Sequence, residues 1–203
     1  MTLYAVTDSA WVGKQTLVEQ VKDALEGGIT FLQLREKSLN QEEFLQEALE
    51  IKQLASAYKV PFVINDDIEI AKQMDADGVH VGQDDMSPRE VRKILGADKI
   101  VGVSVHNIEE AVLAQEAGAD YLGLGAIFPT TTKKDAKPIN QDFIKEICDS
   151  VTIPVVGIGG INESNMNLLY GTHLDGVALV SAIFGAKDIK QETKKLLEMA
   201  KRI

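Results

Sequence analysis

An internal disulfide is impossible in this chain, because its 203 residues include a single cysteine, Cys148. That suits a reducing compartment, and a cytoplasmic location is expected. No basic segment followed by a long apolar run stands at the start. Met1 leads almost at once into Leu3-Tyr4-Ala5-Val6-Thr7, so neither a signal peptide nor a membrane span is expected. Positive charge is scarce: 21 Lys and Arg face 31 Asp and Glu, for a net charge of -10. That balance argues against nucleic acid or a membrane surface as a partner. It leaves phosphate ligands open, since a few local cations outweigh acidic groups lying beyond a screening length of about 10 Å. No Pro/Gly/Ser-rich linker interrupts the chain, so residues 1–203 read as one domain. Nothing in the sequence speaks to the oligomeric state, and a homo-oligomer stays open.

What is present is an alternation of short apolar runs with helix-like segments. The runs are Leu3–Val6, Phe31–Arg35, Phe62–Asn65, Gly78–Val81, Ile100–Val103, Tyr121–Leu124, Val155–Ile158 and Gly176–Val180. Each is nearly continuous in apolar residues, as strands buried on both faces of a parallel sheet are. Between them, helices are expected over Thr16–Glu26, from Asn40 to before Pro61, over Ile68–Met74, from Ser87, from Asn107 to Gly118, and over Phe143–Asp149. Two more are expected over Asn165–Tyr170 and Ile189–Ala200. Asn40 with Glu43 forms a capping box, and Ser87-Pro88-Arg89-Glu90 joins an N-cap, a first-turn Pro and an N3 Glu. In the Asn40 helix, Phe44, Ala48, Leu49, Leu54 and Ala55 form the expected buried stripe. Eight strand–helix units, roughly 25 residues each, predict an α/β fold of the (β/α)8 TIM-barrel type with compact loops. An open doubly wound sheet is the alternative. No Gly-x-Gly-x-x-Gly follows the first strand, which weakens a dinucleotide-binding version of it.

In a barrel, the loops after the strands build the active site. Those positions hold Gln33, Arg35, Glu36 and Lys37; Asn65-Asp66-Asp67; Gln83-Asp84-Asp85; Ser104 and His106; Gly159-Gly160; and Ser181-Ala182. After the sixth strand comes Gly125-Ala126-Ile127-Phe128-Pro129-Thr130-Thr131-Thr132-Lys133-Lys134. Its hydroxyls and ammonium groups suit phosphate, although a solvated Thr-rich loop is the plainer reading. Arg35, Lys37 and Lys133 can neutralise a diphosphate, or Arg35 and Lys37 can form surface ion pairs with Glu36 or Asp67. Asp66 and Asp85 can hold a hard cation such as Mg2+ together with substrate phosphates, whereas one Asp of each adjacent pair can simply serve a helix N-terminus. Gly159-Gly160 and Val180-Ser181 stand where barrels bind phosphate through backbone N–H groups. The sorting suggests two phosphorylated small-molecule substrates. His80, inside an apolar strand, reads as a packed core histidine, and Cys148 as a core residue of a helix. His106 is either catalytic or part of a helix start, and Trp11 either covers a ligand or packs.

Taken together, Gln33-Leu34-Arg35-Glu36-Lys37, Ile64–Asp67, Gly78–Asp85, Gly102–His106, Gly125–Lys134, Gly157–Ile161 and Val177–Ile183 resemble thiamine phosphate synthase over nearly the whole chain. The resemblance implies a transferase of thiamine biosynthesis that joins hydroxymethylpyrimidine diphosphate to a thiazole phosphate with Mg2+ and releases pyrophosphate. It assigns the pyrimidine diphosphate to Gln33, Leu34, Arg35, Glu36, Lys37, Asn65, Ser104 and Lys133. Arg35, Lys37, Lys133 and Ser104 act in the reaction, and Asp66 and Asp85 are the metal ligands. The thiazole phosphate falls to Thr130, Thr131, Thr132, Gly160, Val180 and Ser181. One departure is Ala126, where the family often has Pro; it removes no implied ligand. A sister family, the thiazole tautomerase, shares the barrel but needs no diphosphate site. A phosphate-binding module without catalysis is a further alternative.

Overall fold

The computed structural model describes residues 1–13, 15–129 and 140–203. The strands are β1 (Leu3–Val6), β2 (Phe31–Leu34), β3 (Phe62–Asn65), β4 (Gly78–Val81), β5 (Ile100–Val105), β6 (Tyr121–Gly125), β7 (Val155–Ile158) and β8 (Gly176–Leu179). All neighbours pair in parallel, and β8 returns to β1 through Leu3↔Val177, Tyr4↔Ala178 and Ala5↔Leu179, closing a (β/α)8 barrel. The helices are α1 (Leu17–Gly27), α2 (Gln41–Ala57), α3 (Ile68–Gln73), α4 (Pro88–Leu95), α5 (Ile108–Glu116), α6 (Gln141–Asp149), α7 (Ser181–Phe184) and α8 (Ile189–Ala200).

Local chemistry accounts for the helix starts. Capping boxes formed by Thr16 with Glu19, Asn40 with Glu43 and Ser87 with Glu90 open α1, α2 and α4. Each satisfies N–H groups that have no partner within the helix. The buried stripe of α2 is Phe44, Ala48, Ile51 and Ala55, stepping by four, three and four residues. Leu49 is exposed, contrary to expectation, because it lies one residue and so about 100° around the helix from Ala48. Two further differences touch the site. The eighth strand ends at Leu179, and Val180 caps the short α7, which the sequence reading had not anticipated. The segment expected to be helical from Asn165 to Tyr170 is a single 3-10 turn, Met166–Leu169, with no side-chain cap.

Alternation along each strand makes two layers. Leu3, Ala5, Leu32, Leu122 and Leu124 face the helices, in the main core. Tyr4, Val6, Phe31, Val63, Tyr121, Val156 and Ala178 face the barrel axis. There the rings of Tyr4, Phe31 and Tyr121 meet edge-on, with centroids 4.7 to 5.9 Å apart. They plug the interior below the strand ends. Gly102 makes room for this plug: a Cβ there would lie 2.1 Å from Cζ of Tyr121. Gly102→Ala is therefore expected to lower unfolding stability by about 1–3 kcal/mol through overpacking. Urea denaturation checks this, and an unchanged midpoint would show that the ring can yield.

Candidate active site

Above the aromatic plug, the carboxyl ends of the strands enclose a cavity of about 370 Å3, of the size that holds small molecules. Gln33, Arg35, Asn65, Ser104, Gly160, Val180 and Ser181 all line it, which brings together residues from β2, β3, β5, β7 and β8. Leu34, Glu36, Lys37, Asp66 and Asp85 do not. Leu34 faces the outer core and is fully buried. Glu36 turns its Oε1 back on its own loop, accepting from the N–H groups of Lys37 (2.7 Å), Ser38 (2.5 Å) and Leu39 (3.2 Å) and from the Ser38 hydroxyl. It shapes the loop that carries Lys37. Thr130, Thr131, Thr132 and Lys133 lie outside the described residues.

The two described cations are each held by a carboxylate. Nη1 of Arg35 lies 3.3 Å from Asp8, and Nζ of Lys37 lies 2.6 Å from Asp66. Neither partner is one that the sequence reading considered. Asp8 also accepts from the Ala10 N–H, capping the turn Ser9–Trp11 that brings Trp11 to the cavity rim. The Arg35 N–H donates to Thr7 Oγ1, which ties the end of β2 to that of β1.

At the ends of β3 and β4 the two adjacent acids divide their work. Asp67 caps α3 through the Ile70 N–H. Asp66, at φ 60°, is fixed by its N–H on the His80 carbonyl and faces Lys37. Asp85 accepts from the Gly82 N–H through Oδ2, 2.7 Å away. Asp66 and Asp85 each keep one carboxylate oxygen with no hydrogen-bond donor among the described residues. Such a donor set fits Mg2+, which takes one or two carboxylates and fills its remaining positions with phosphate oxygens and water. The described residues contain no group of three potential metal ligands, so a caged metal such as structural zinc is not what they would hold.

On the opposite side, Ile127 N–H donates to the Ile158 carbonyl and Phe128 N–H to that of Gly159, laying residues 126–129 along the end of β7. Gly159 and Gly160 have φ 98° and 68°, and a Cβ on Gly160 would lie 2.7 Å from the Pro129 carbonyl oxygen. Only glycine suits both demands. Beside them, α7 has no side-chain cap, so its first N–H groups stay available.

His80 is more than a packed core residue. Its Nδ1 lies 2.9 Å from the Tyr121 hydroxyl and its Nε2 2.9 Å from Ser104 Oγ, and it lines the cavity floor. The sequence could not signal this, because the partner that makes it polar, Tyr121, is 41 residues away. His106 lines the rim while its N–H and Nδ1 both engage Glu110, so it serves the start of α5 and faces the cavity. Cys148 packs against the core, and burial pushes its thiol up to about 12.

With this geometry in view, similarity to known proteins is decisive. The family model described as Thiamine monophosphate synthase matches residues 3–183. The chain belongs to the thiamine monophosphate synthase family. It is 50% identical over 198 residues to a thiamine-phosphate synthase of Ruminiclostridium cellulolyticum, covering 98% of this chain and 94% of that one. A thiamine-phosphate synthase of Clostridium acetobutylicum is 46% identical over 200 residues, covering 98% and 95%. The solved thiamine phosphate pyrophosphorylase from Pyrococcus furiosus superposes with a TM-score of 0.90 at 39% identity, covering 98% of this chain and 95% of that one. The chain is accordingly a transferase of thiamine biosynthesis. Among the described residues, no helix is long and apolar enough to cross a membrane.

Burial pulls His80 down to about 4 from its usual 6.5, partly offset by the negative charge of Asp85. The unfolded chain therefore binds a proton near pH 6.5 that the folded chain refuses until about pH 4. Between those values the unfolded state binds more protons, so stability falls as pH drops. The full penalty is roughly 3 kcal/mol. His80→Gln should flatten this part of the stability–pH curve, measured by urea denaturation at stepped pH. An identical slope in both proteins would show that His80 binds its proton as readily in the fold as in the unfolded chain.

Proposed function

We propose that this protein couples hydroxymethylpyrimidine diphosphate to hydroxyethylthiazole phosphate, or its carboxylated form, giving thiamine phosphate and pyrophosphate. The observation that carries the reading is the division of one cavity mouth into two phosphate-suited halves. One has Arg35 on the cavity lining, with the Lys37–Asp66 pair and Asp85 at the strand ends beyond it. The other offers the glycine-lined end of β7 and the uncapped start of α7. A diphosphate and a monophosphate would sit on opposite sides of the floor, bringing the pyrimidine methylene towards the thiazole nitrogen.

The methylene C–O bond breaks first, and its electron pair leaves with pyrophosphate. Arg35 and Lys37, joined by Lys133, stabilise the charge that develops on the departing group. Mg2+ bound at Asp66 and Asp85 would add two positive charges to that same group. The electron-rich aminopyrimidine supports the resulting cation, held on the floor by Gln33, Asn65 and Ser104. The thiazole nitrogen then supplies the electron pair for the new C–N bond. No protein nucleophile is required, which agrees with a half-buried, weakly acidic Cys148.

The direct test mixes the purified protein with both substrates, with Mg2+ or with excess chelator. Equal amounts of thiamine phosphate and pyrophosphate, abolished by the chelator, are expected. Absence of product from folded protein that still binds thiazole phosphate would move the assignment to isomerisation of the thiazole. Asp85→Ala should lower turnover by about 100-fold or more with an unchanged circular-dichroism spectrum. Wild-type turnover at limiting Mg2+ would remove Asp85 from the metal site.

A further inference from the structure

The floor of the cavity is one continuous hydrogen-bonded chain that runs through residues with no assigned role. Gln33 Nε2 donates to the Tyr4 hydroxyl. The Tyr4 and Tyr121 hydroxyls are 2.8 Å apart, Tyr121 reaches His80 Nδ1 at 2.9 Å, and His80 Nε2 reaches Ser104 Oγ at 2.9 Å. We propose that Tyr4 and Tyr121 are positioning residues that act through His80 to present the Ser104 hydroxyl to the ligand as a donor, with Gln33 Oε1 as the matching acceptor. Only the identity of the ligand, the aminopyrimidine, rests on the function proposed above.

The polarity follows from counting protons. Tyr4 receives a proton from Gln33, so its own O–H has one remaining neighbour, Tyr121. Tyr121 then has only His80 Nδ1 to donate to. Nδ1 accepts the Tyr121 O–H, so that nitrogen carries no proton of its own and the imidazole is neutral. A neutral imidazole that accepts at Nδ1 carries its proton on Nε2 and donates to Ser104. The Ser104 proton then has no acceptor among the described residues and points to the cavity that Ser104 lines. At the other end, Gln33 Oε1 has no donor among the described residues, and it is not a fully buried orphan either. The floor thus offers one acceptor from β2 and one donor from β5. An aminopyrimidine, with an amino donor and ring-nitrogen acceptors, matches that pattern. Because each bond dictates the next, the two ends are coupled: reversing the chain would turn both at once, presenting the Gln33 amino group and a Ser104 acceptor.

The chain has only three histidines, so the His80 ring is readily assigned by 15N NMR. In the free wild-type protein, Nε2 should carry the proton and Nδ1 should show the shift of a bare nitrogen accepting a hydrogen bond. In Tyr121→Phe, Nδ1 should move to the shift of an unbonded nitrogen. In kinetics, Tyr121→Phe should cut kcat/KM for the pyrimidine diphosphate roughly tenfold, the worth of one neutral hydrogen bond. KM for the thiazole phosphate should stay unchanged. Against a Ser104→Ala background, Tyr121→Phe should add little further loss, because both act along one chain. Tyr4→Phe cuts a different link and serves as a second variant. A wild-type proton on Nδ1, an unmoved Nδ1 in both Phe variants, or losses that multiply in the double variant would each overturn the relay. The NMR result needs no substrate, so it stands or falls independently of the proposed reaction.

Discussion

The pairing of β1 with β8 is the constraint on which everything else rests. Until Leu3, Tyr4 and Ala5 line up with Val177, Ala178 and Leu179, the sheet has two open edges and no inside. Once it closes, the period of two assigns every strand residue to the helix side or the axis side. A slip of one residue would exchange Tyr4 with Ala5 and put a leucine where the site needs a glutamine. The same closure directs all eight strand ends to one rim. Residues more than 150 positions apart, such as Asp8 and Ser181, therefore line one cavity.

The interior behind that rim is filled asymmetrically. Tyr4, Phe31 and Tyr121 occupy the axis at the level where β5 contributes Gly102, and His80 of β4 stands against Gly123 of β6, across β5. Large rings facing glycines let a narrow barrel reach interior packing density without distorting its strands. Two of those rings carry hydroxyls, and a buried hydroxyl left unpaired costs about 1–3 kcal/mol. Pairing Tyr4 with Tyr121, and Tyr121 with His80, removes that cost and carries polarity from the packed plug to the ligand surface. Stability and recognition meet in the same three side chains.

Much of this was legible in the sequence, because much of it is local. Capping signals at Asn40 and Ser87 predicted the starts of α2 and α4, and continuous apolar runs predicted the strands to within two residues. That Gln33, Arg35, Asn65, Ser104 and Gly160 would share one cavity follows from asking which polar or glycine residues stand at or just beyond the carboxyl ends of strands. What failed was non-local or depended on side-chain direction. Glu36 sits among cavity residues in sequence, yet its Oε1 is taken by three backbone N–H groups of its own loop and the side chain does not line the cavity. Asp8 carried no signal, because its partner Arg35 lies 27 residues on. Tyr4 and Tyr121 read as apolar strand residues, and only the closed barrel brings their hydroxyls into contact.

The electrostatics of the rim bear on how a protein with a net charge of -10 could receive two anions. Arg35 and Lys37 are already compensated by Asp8 and Asp66, and Asp85 adds a third carboxylate nearby. Among the described residues, then, the diphosphate side of the cavity is not cationic by itself. A highly charged ligand placed there needs positive charge from outside this set. Two sources are consistent with the proposed reaction: a divalent cation on the free oxygens of Asp66 and Asp85, and Lys133, which lies outside the described residues. Either would release Lys37 from Asp66 to face the ligand, since an exposed pair of this kind is worth at most about 1 kcal/mol. On this argument the carboxylates hold the cations in place until the diphosphate arrives. The weakness of their pairing is then what allows Arg35 and Lys37 to change partners.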